Sequence, residues 1–148
     1  MHSDKAHVGA DADMALVEAV AVTPGNANDG RAGPSALPAV VGDVFADSAD
    51  RGAHFAAAVR ARGGVPRVVA THVWCREDED GAALLRATDG PIQRVRGRIE
   101  TIFGTCKRSY GLRRMRWRGL VKAGLQVRLT VIAYNLRRRL KILQERCA

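Results

Sequence analysis

Two carboxylates stand out by their surroundings. Asp47 closes the short run DVFAD, from Asp43 to Asp47, whose middle is β-branched or aromatic. A buried strand of an α/β sheet presents a functional acid at its carboxyl edge in this way. Glu100 is the only acid between Ile92 and Leu120, a stretch that reads IQRVRGRIETIFGTCKRSYGLRRMRWRGL. A run that only bound an anion would be weakened by that glutamate, whereas chemistry on a bound anion has a use for a carboxylate.

The charge around Glu100 belongs to a larger asymmetry. The 148 residues carry a net charge of +9, and Ile92 to Ala148 has 16 Lys and Arg against only Glu100 and Glu145, a net of +14. Met1 to Pro91 has 8 against 13, a net of −5. A basic segment this dense is the footprint of a polyanion binder, because each neutralised phosphate releases condensed counterions. Anionic membranes and heparin-like chains share that chemistry, and a solvated basic face needs no partner at all.

Composition bounds the rest. A chain of 148 residues, 47% hydrophobic and 26% charged, is expected to form one globular domain, with a core leaning on Ala, Val, Leu and Ile since only 5% is aromatic. No window of about 18 uninterrupted apolar residues suggests a membrane span. Met1 opens onto His2, Ser3, Asp4 and Lys5, which does not resemble a secretory signal, so the expected compartment is the cytoplasm. Cys75, Cys106 and Cys147 are far apart, form no CxxC pair, and read as unpaired thiols. His7, His54 and His72 have no ligand-like spacing, and neither a phosphate loop nor a nucleophile elbow is present.

The elements that must position the two acids follow from periodicity and punctuation. KAHVGAD and ALVEAVAVT read as two strands joined at the ADADM turn, and PGNANDGRAGP reads as loop. A short helix is expected near Ser35 to Val40. DVFAD, AHFAAAVRARGG and PRVVA read as strand, helix and strand, the helix closed by Gly63 and Gly64, which implies a parallel pair. From Thr71 to Gly90 the pattern lapses, and EDED at Glu77 to Asp80 reads as a solvated loop, since consecutive acids cannot all face one ion.

Gly90 and Pro91 then punctuate the start of a basic helix. At about 100° per residue, Val95, Ile99, Ile102 and Cys106 share a side that would pack on the sheet, with Phe103 at its border. Gln93, Arg96, Glu100 and Lys107 fall on a separate stripe. An Arg96–Glu100 surface pair is one reading of that stripe, worth about 0.3 to 0.5 kcal/mol. Gly97 and Gly104 each cost about 1 kcal/mol in a helix interior, which suggests that something approaches closely there, and DNA would fit. In the following helix Leu125, Leu129, Ile132, Leu136, Leu140 and Leu143 recur at helical spacing, as a core face or a seam shared with a second copy. Trp117 either stacks on a base or anchors a turn.

Arg96, Glu100 and Lys107 stand in the R-x3-E-x6-K spacing of the glutamate helix of DDE transposases encoded by bacterial insertion sequences, and FGTCKRSYGLRRMRWRGL resembles the stretch that follows in that family. LVKAGLQVRLTVIAYNLRRRLKIL is similar to the family's C-terminal helix, VFADSADRG to its strand with the second catalytic aspartate, and KAHVGADADMALVEAVAVTPGNANDG to the preceding hairpin and loop. The resemblance covers nearly the whole chain. It implies an α/β fold with a ribonuclease H-like catalytic core that lacks its first strand, followed by a basic C-terminal helical segment. Residues 1–148 would be one partial domain, 1–91 holding the sheet and 92–148 the basic helices. Asp47 and Glu100 would be catalytic and hold two of the three carboxylate positions around two Mg2+ ions. Arg96 and Lys107 would contact phosphate, with Arg108, Arg113, Arg114, Arg116 and Arg118 as further DNA contacts. The implied reaction is metal-dependent DNA cleavage and strand transfer, on insertion-sequence ends and target DNA at the bacterial nucleoid.

The sequence departs from the family at three places. Gln93 and Asp50 stand where tyrosines are usual. The first aspartate has no counterpart: Asp4, Asp11 and Asp13 fall on the hairpin or its turn, and none matches its motif. In the family that aspartate's strand lies between the hairpin and the DVFAD strand, so its loss would expose unpaired edges. The chain is therefore expected to be inactive alone, as an insertion-sequence remnant or the downstream part of a transposase whose front is encoded elsewhere. A non-catalytic DNA-binding clamp, or an inhibitor that pairs with full-length transposase, is the competing expectation.

Overall fold

The structure, a computed structural model, describes residues 4–47, 52–69 and 79–147. The chain runs β1 (Asp4–Ala10), β2 (Val17–Pro24), α1 (Asp29–Ala32), a 3-10 turn (Gly33–Ala36), β3 (Asp43–Ala46), α2 (Ala53–Ala61), β4 (Val65–Val68), α3 (Glu79–Ser109) and α4 (Leu120–Cys147). It is a mixed α/β arrangement with two small sheets. Among the described residues no helix is long and apolar enough to cross a membrane.

β1 and β2 form an antiparallel hairpin, Asp4 opposite Pro24 and Val8 opposite Val20, with a register shift at Gly9 and Ala10. Asp11 shapes the turn by accepting hydrogen bonds from the Asp13 and Met14 amides. His7 is spent structurally, its Nε2 lying 2.9 Å from Thr23 Oγ1 across the ladder. The expected helix at Ser35 to Val40 is displaced toward the N-terminus, because Pro34 fits the first turn, right after Gly33, and Pro38 stops the run. Gly9 is obligatory where it stands: a Cβ there would collide with the Ala36 carbonyl oxygen.

β3 and β4 pair in parallel, Asp43 opposite Val65 and Ala46 opposite Val68, connected through α2 as the strand–helix–strand pattern requires. α2 ends where Gly63 takes φ +80°, a left-handed conformation that closes the helix. Phe55 and Val59 seal it onto Ala46, with Leu37, Val41, Val44 and Val68 around them.

The larger core lies on the other sheet. Ile102 and Cys106 of α3 and Val127, Val131 and Tyr134 of α4 close over Val17, with Val8, Val20, Val22 and Ile99 packed against them. The face assigned to Val95, Ile99, Ile102 and Cys106 is the one that turns inward, Ile102 and Cys106 being buried. Polar clasps fix α4 to the hairpin. Asn135 Nδ2 donates to the Val17 carbonyl at 2.8 Å while its Oδ1 accepts the Val17 amide at 2.9 Å, and Tyr134 Oη donates to the Ala15 carbonyl at 3.0 Å.

Two expectations are overturned. α3 does not begin at Gly90 and Pro91 but runs from Glu79 through both. Glu79 and Asp80 therefore open a helix rather than a loop, and Pro91 is accommodated inside it, at the loss of one helical hydrogen bond. The leucine stripe of α4 is not core. Leu125, Leu129, Ile132, Leu136, Leu140 and Leu143 are exposed, and the smaller Ala123, Gly124, Val127, Thr130 and Val131 face the sheet, where they let the helix approach closely. Expectations at Asp50, His72, Cys75, Glu77 and Asp78 lie outside the described residues.

Candidate functional site

The two sheets leave a cleft of about 480 Å3 between β1 and β3, roofed by α3. β3 delivers Asp47 there, as the residue just past its carboxyl end, and α3 delivers Arg96 and Glu100 one turn apart. Val95, Ile99 and Phe103 line the same space. The helix thus presents one apolar row and one charged row to the cleft.

Arg96 does not pair with the glutamate one turn away. Its Nη2 lies 3.0 Å from Asp47 Oδ2, an ion pair that ties α3 to the end of β3. Arg96 is 24% exposed and Asp47 52% in their side chains, so the pair is partly screened and worth about 0.2 to 1 kcal/mol. A second pair, Arg67 Nε to Asp43 Oδ2 at 3.3 Å, crosses β4 to β3 at the other end of the strand.

The cleft is acidic, and all its acids but Glu100 come from the front part of the chain, which carries a net charge of −5. Asp11, Glu18, Asp43, Asp47 and Glu100 line it against Arg96 and Arg98. Sequence reasoning set Asp11 aside and took no account of Glu18 and Asp43 as neighbours. The pairing of Asp43 with β4 was implicit in the parallel register, but the approach of β1 to β3 had no local signal. Among the described residues no group of three or more His, Cys, Asp or Glu side chains is placed to hold a metal ion. Asp47 and Glu100 both line the cleft, and carboxylate oxygens are the donor type Mg2+ takes, commonly one or two of them together with substrate phosphates. In chemical type two carboxylates suit one such ion shared with a phosphate, and they do not by themselves furnish a two-ion site.

The basic residues divide into three places. Lys107 is exposed on α3 and is not part of the cleft lining, so the R-x3-E-x6-K ladder is split, with Arg96 and Glu100 inside and Lys107 outside. Arg108 is exposed and its Nε donates to the Gly104 carbonyl of its own helix at 3.3 Å. Arg113, Arg114, Arg116 and Arg118 are exposed on the α3–α4 connection. Gln126, almost fully buried, holds that connection: its Oε1 accepts the Arg116 amide at 2.8 Å and its Nε2 donates to the Arg114 carbonyl at 2.9 Å. Leu112 and Met115 pack on the core, whereas Trp117 is 45% exposed and so does not anchor the turn.

The third place was missed from the sequence. A groove of about 530 Å3 between α3 and α4 is lined by Arg94, Arg98, Arg137, Arg138 and Lys141, with Thr101, Thr105 and Ser109 among its hydroxyls. Gly97 lines it, and nothing stands within 4 Å of where its Cβ would be. Arg94 and Arg98 fall one turn apart, and their meeting with Arg137 and Lys141 depends on how two distant helices pack. The sequence matches the family model described as Transposase DDE domain over residues 2–136. No curated protein and no solved structure matches it.

Proposed function

From the premise that the chain belongs to the transposase DDE domain family, which makes it a transposase-type protein, we propose that it carries two thirds of a polynucleotidyl-transfer site. The fold is read as a ribonuclease H-like core divided at the β1–β3 cleft, residues 1–148 forming one partial domain. Asp47 and Glu100 are the catalytic and metal-holding carboxylates. The observation that carries this reading is their convergence, from separate elements, on one acidic cleft of a +9 chain.

Asp47 and Glu100 would hold a divalent ion such as Mg2+, which would supply Lewis-acid polarisation of a phosphate oxygen and a lowered pKa for its water. The protein's own part is positioning. Arg96 neutralises Asp47 when DNA is absent, and its planar guanidinium is the group suited to turn to a phosphate when one arrives. Lys107, Arg108 and the four arginines of the α3–α4 connection hold duplex DNA by its backbone, and so orient it without reading sequence. The third carboxylate arrives on a strand paired into the β1–β3 cleft, from a preceding segment or from another chain. The 148 residues alone therefore bind DNA without Mg2+-dependent cleavage of insertion-sequence ends.

A second reading, a non-catalytic DNA clamp, is favoured by the Arg96–Asp47 pair, which already satisfies one carboxylate. DNA affinity measured at constant ionic strength, in EDTA and in Ca2+, separates the two. If the cleft holds an ion against phosphate, Ca2+ strengthens binding, and Asp47→Asn or Glu100→Gln abolishes that gain. If Ca2+ only weakens binding, equally in all three proteins, the chain is a clamp.

A further inference from the structure

Gly97 stands in the interior of α3, where glycine is disfavoured relative to alanine. It lines the groove of about 530 Å3 between α3 and α4 and not the acidic cleft. Nothing stands within 4 Å of where its Cβ would be, so the missing side chain relieves no contact and instead leaves the groove open. A space of this size falls within the range of small-ligand pockets, about 300 to 1,000 Å3.

The groove is basic, and several of its charges are unpaired. Arg94 and Arg98 of α3 stand one turn apart, and so do Arg137 and Lys141 of α4, a like-charge spacing that disfavours the helix carrying it. Among the described residues Asp13 is the one acid in the lining. Lys141 has Glu145 at 3.7 Å, and Arg138 Nε donates to the Met14 carbonyl at 2.9 Å. No ion pair or hydrogen bond among the described residues engages the side chains of Arg94, Arg98 and Arg137. Three free guanidiniums from two helices suit an anion of several charges, and their planar forks match phosphate oxygens.

The rest of the lining calls for more than an anion. Thr101 Oγ1 donates to the Gly97 carbonyl at 3.0 Å and Thr105 Oγ1 to the Thr101 carbonyl at 2.9 Å. Both hydroxyl protons are thus engaged in the helix, and what remains is lone pairs. Lone pairs repel a phosphate and accept from a hydroxyl or an amino group. Further along α3 the groove is lined by Tyr110, half-buried, and by Tyr134 and Ala15, and an aromatic end of this kind suits a planar ring. We propose that the groove binds a nucleoside diphosphate, with its phosphates on Arg94, Arg98 and Arg137, its sugar and base donors on Thr101 and Thr105, and its base toward Tyr110. Arg98 also borders the acidic cleft, so Arg94 and Arg137 are the groove's own. None of the four arginines of the α3–α4 connection lines it, and the proposal stands independently of the catalytic and DNA readings.

Isothermal titration calorimetry of the full chain in EDTA at low salt, with ADP, pyrophosphate and adenosine as separate probes, tests both ends of the groove. ADP is expected to bind at least about 10-fold more tightly than either part, since each part forgoes one set of contacts. Arg94→Gln with Arg137→Gln, both exposed positions, is expected to weaken ADP binding about 10-fold or more. Gly97→Leu fills the groove without altering charge and is expected to weaken it by a similar factor. Leucine favours a helix over glycine, so the urea midpoint of that variant should hold or rise, which separates a filled site from a damaged fold. If the midpoint falls instead, the Arg94 and Arg137 variant decides. Absence of ADP binding at millimolar concentration overturns the proposal, as does pyrophosphate that binds as tightly as ADP. So does ADP binding indifferent to these variants, or a groove that takes a single strand of oligodeoxyadenylate but not ADP.

Discussion

Phosphate contacts at the α3–α4 connection would give DNA affinity a steep dependence on salt. Arg113, Arg114, Arg116 and Arg118 are exposed on one braced connection, and Lys107 and Arg108 are exposed just before it. If only the four arginines neutralise phosphates, the slope of log affinity against log salt is about −3.6, and if all six do it is about −5.4. From 50 to 200 mM salt these slopes correspond to losses of about 150-fold and about 1,800-fold. Fluorescence anisotropy of a labelled duplex measures the slope directly. Replacing Arg113 and Arg114 together by Gln removes two exposed charges, without touching the amide and carbonyl that Gln126 holds, and should flatten the slope by about 1.8. A wild-type slope shallower than about −2, or a double variant with an unaltered slope, would refute the assignment of DNA binding to this connection. Flattening by Arg94→Gln and Arg137→Gln in its place would move the DNA to the α3–α4 groove.

Two further outcomes test the frame around the site. Gln126→Met keeps the side chain's bulk but deletes both hydrogen bonds to the connection, at about 0.5 to 1.5 kcal/mol each. It should lower both stability in urea and DNA affinity while leaving the salt slope intact, and undiminished affinity would show that the connection needs no brace. Burial pushes the Cys106 thiol up. Burial also raises Tyr134, reinforced by Cys106 and Tyr110 and opposed by Arg138. The folded chain then keeps these protons longer than the unfolded one, so their contribution is complete below the unfolded thiol's pKa of about 8.5 and is lost as pH rises through the folded values. Urea midpoints should fall above about pH 8.5, and Cys106→Ala should remove the earlier part of that fall; a flat alkaline profile contradicts the burial argument.

What could be read in the sequence was what local patterning encodes. The hairpin, the β3–α2–β4 unit and the inward face of α3 each announce themselves within a short window, through alternation, through Gly63 and through the period of Val95, Ile99, Ile102 and Cys106. α4 misled because it has two apolar faces, and a periodicity argument favours the one with larger residues. The sheet takes the other for a packing reason: Ala123, Gly124, Val127 and Thr130 let the helix lie close enough for Asn135 and Tyr134 to reach backbone groups of the hairpin. α3 misled differently, since Pro91 is a breaker by rule, yet it costs one hydrogen bond in a helix long enough to hold its course around it.

For the site, the stripe on α3 gave Arg96 and Glu100 a common face but could not say what Arg96 would meet. A guanidinium at the end of a long side chain chooses among carboxylates by tertiary proximity, and the end of β3 offers Asp47. That choice bears on mechanism. With Arg96 committed to Asp47 and Arg67 to Asp43, Asp11, Glu18 and Glu100 still line the cleft against Arg98 alone among its arginines. No ion pair holds Glu100 among the described residues. A phosphate entering alone would meet uncompensated negative charge, although the chain as a whole attracts it. A cation that accompanied the phosphate would reverse the sign at that point only, and the proposed DNA contacts of the outer arginines would form with or without it. On the proposed site, divalent dependence located at the cleft, superimposed on monovalent sensitivity located at the α3–α4 connection, is therefore the expected behaviour, and a uniform clamp has no means of producing it.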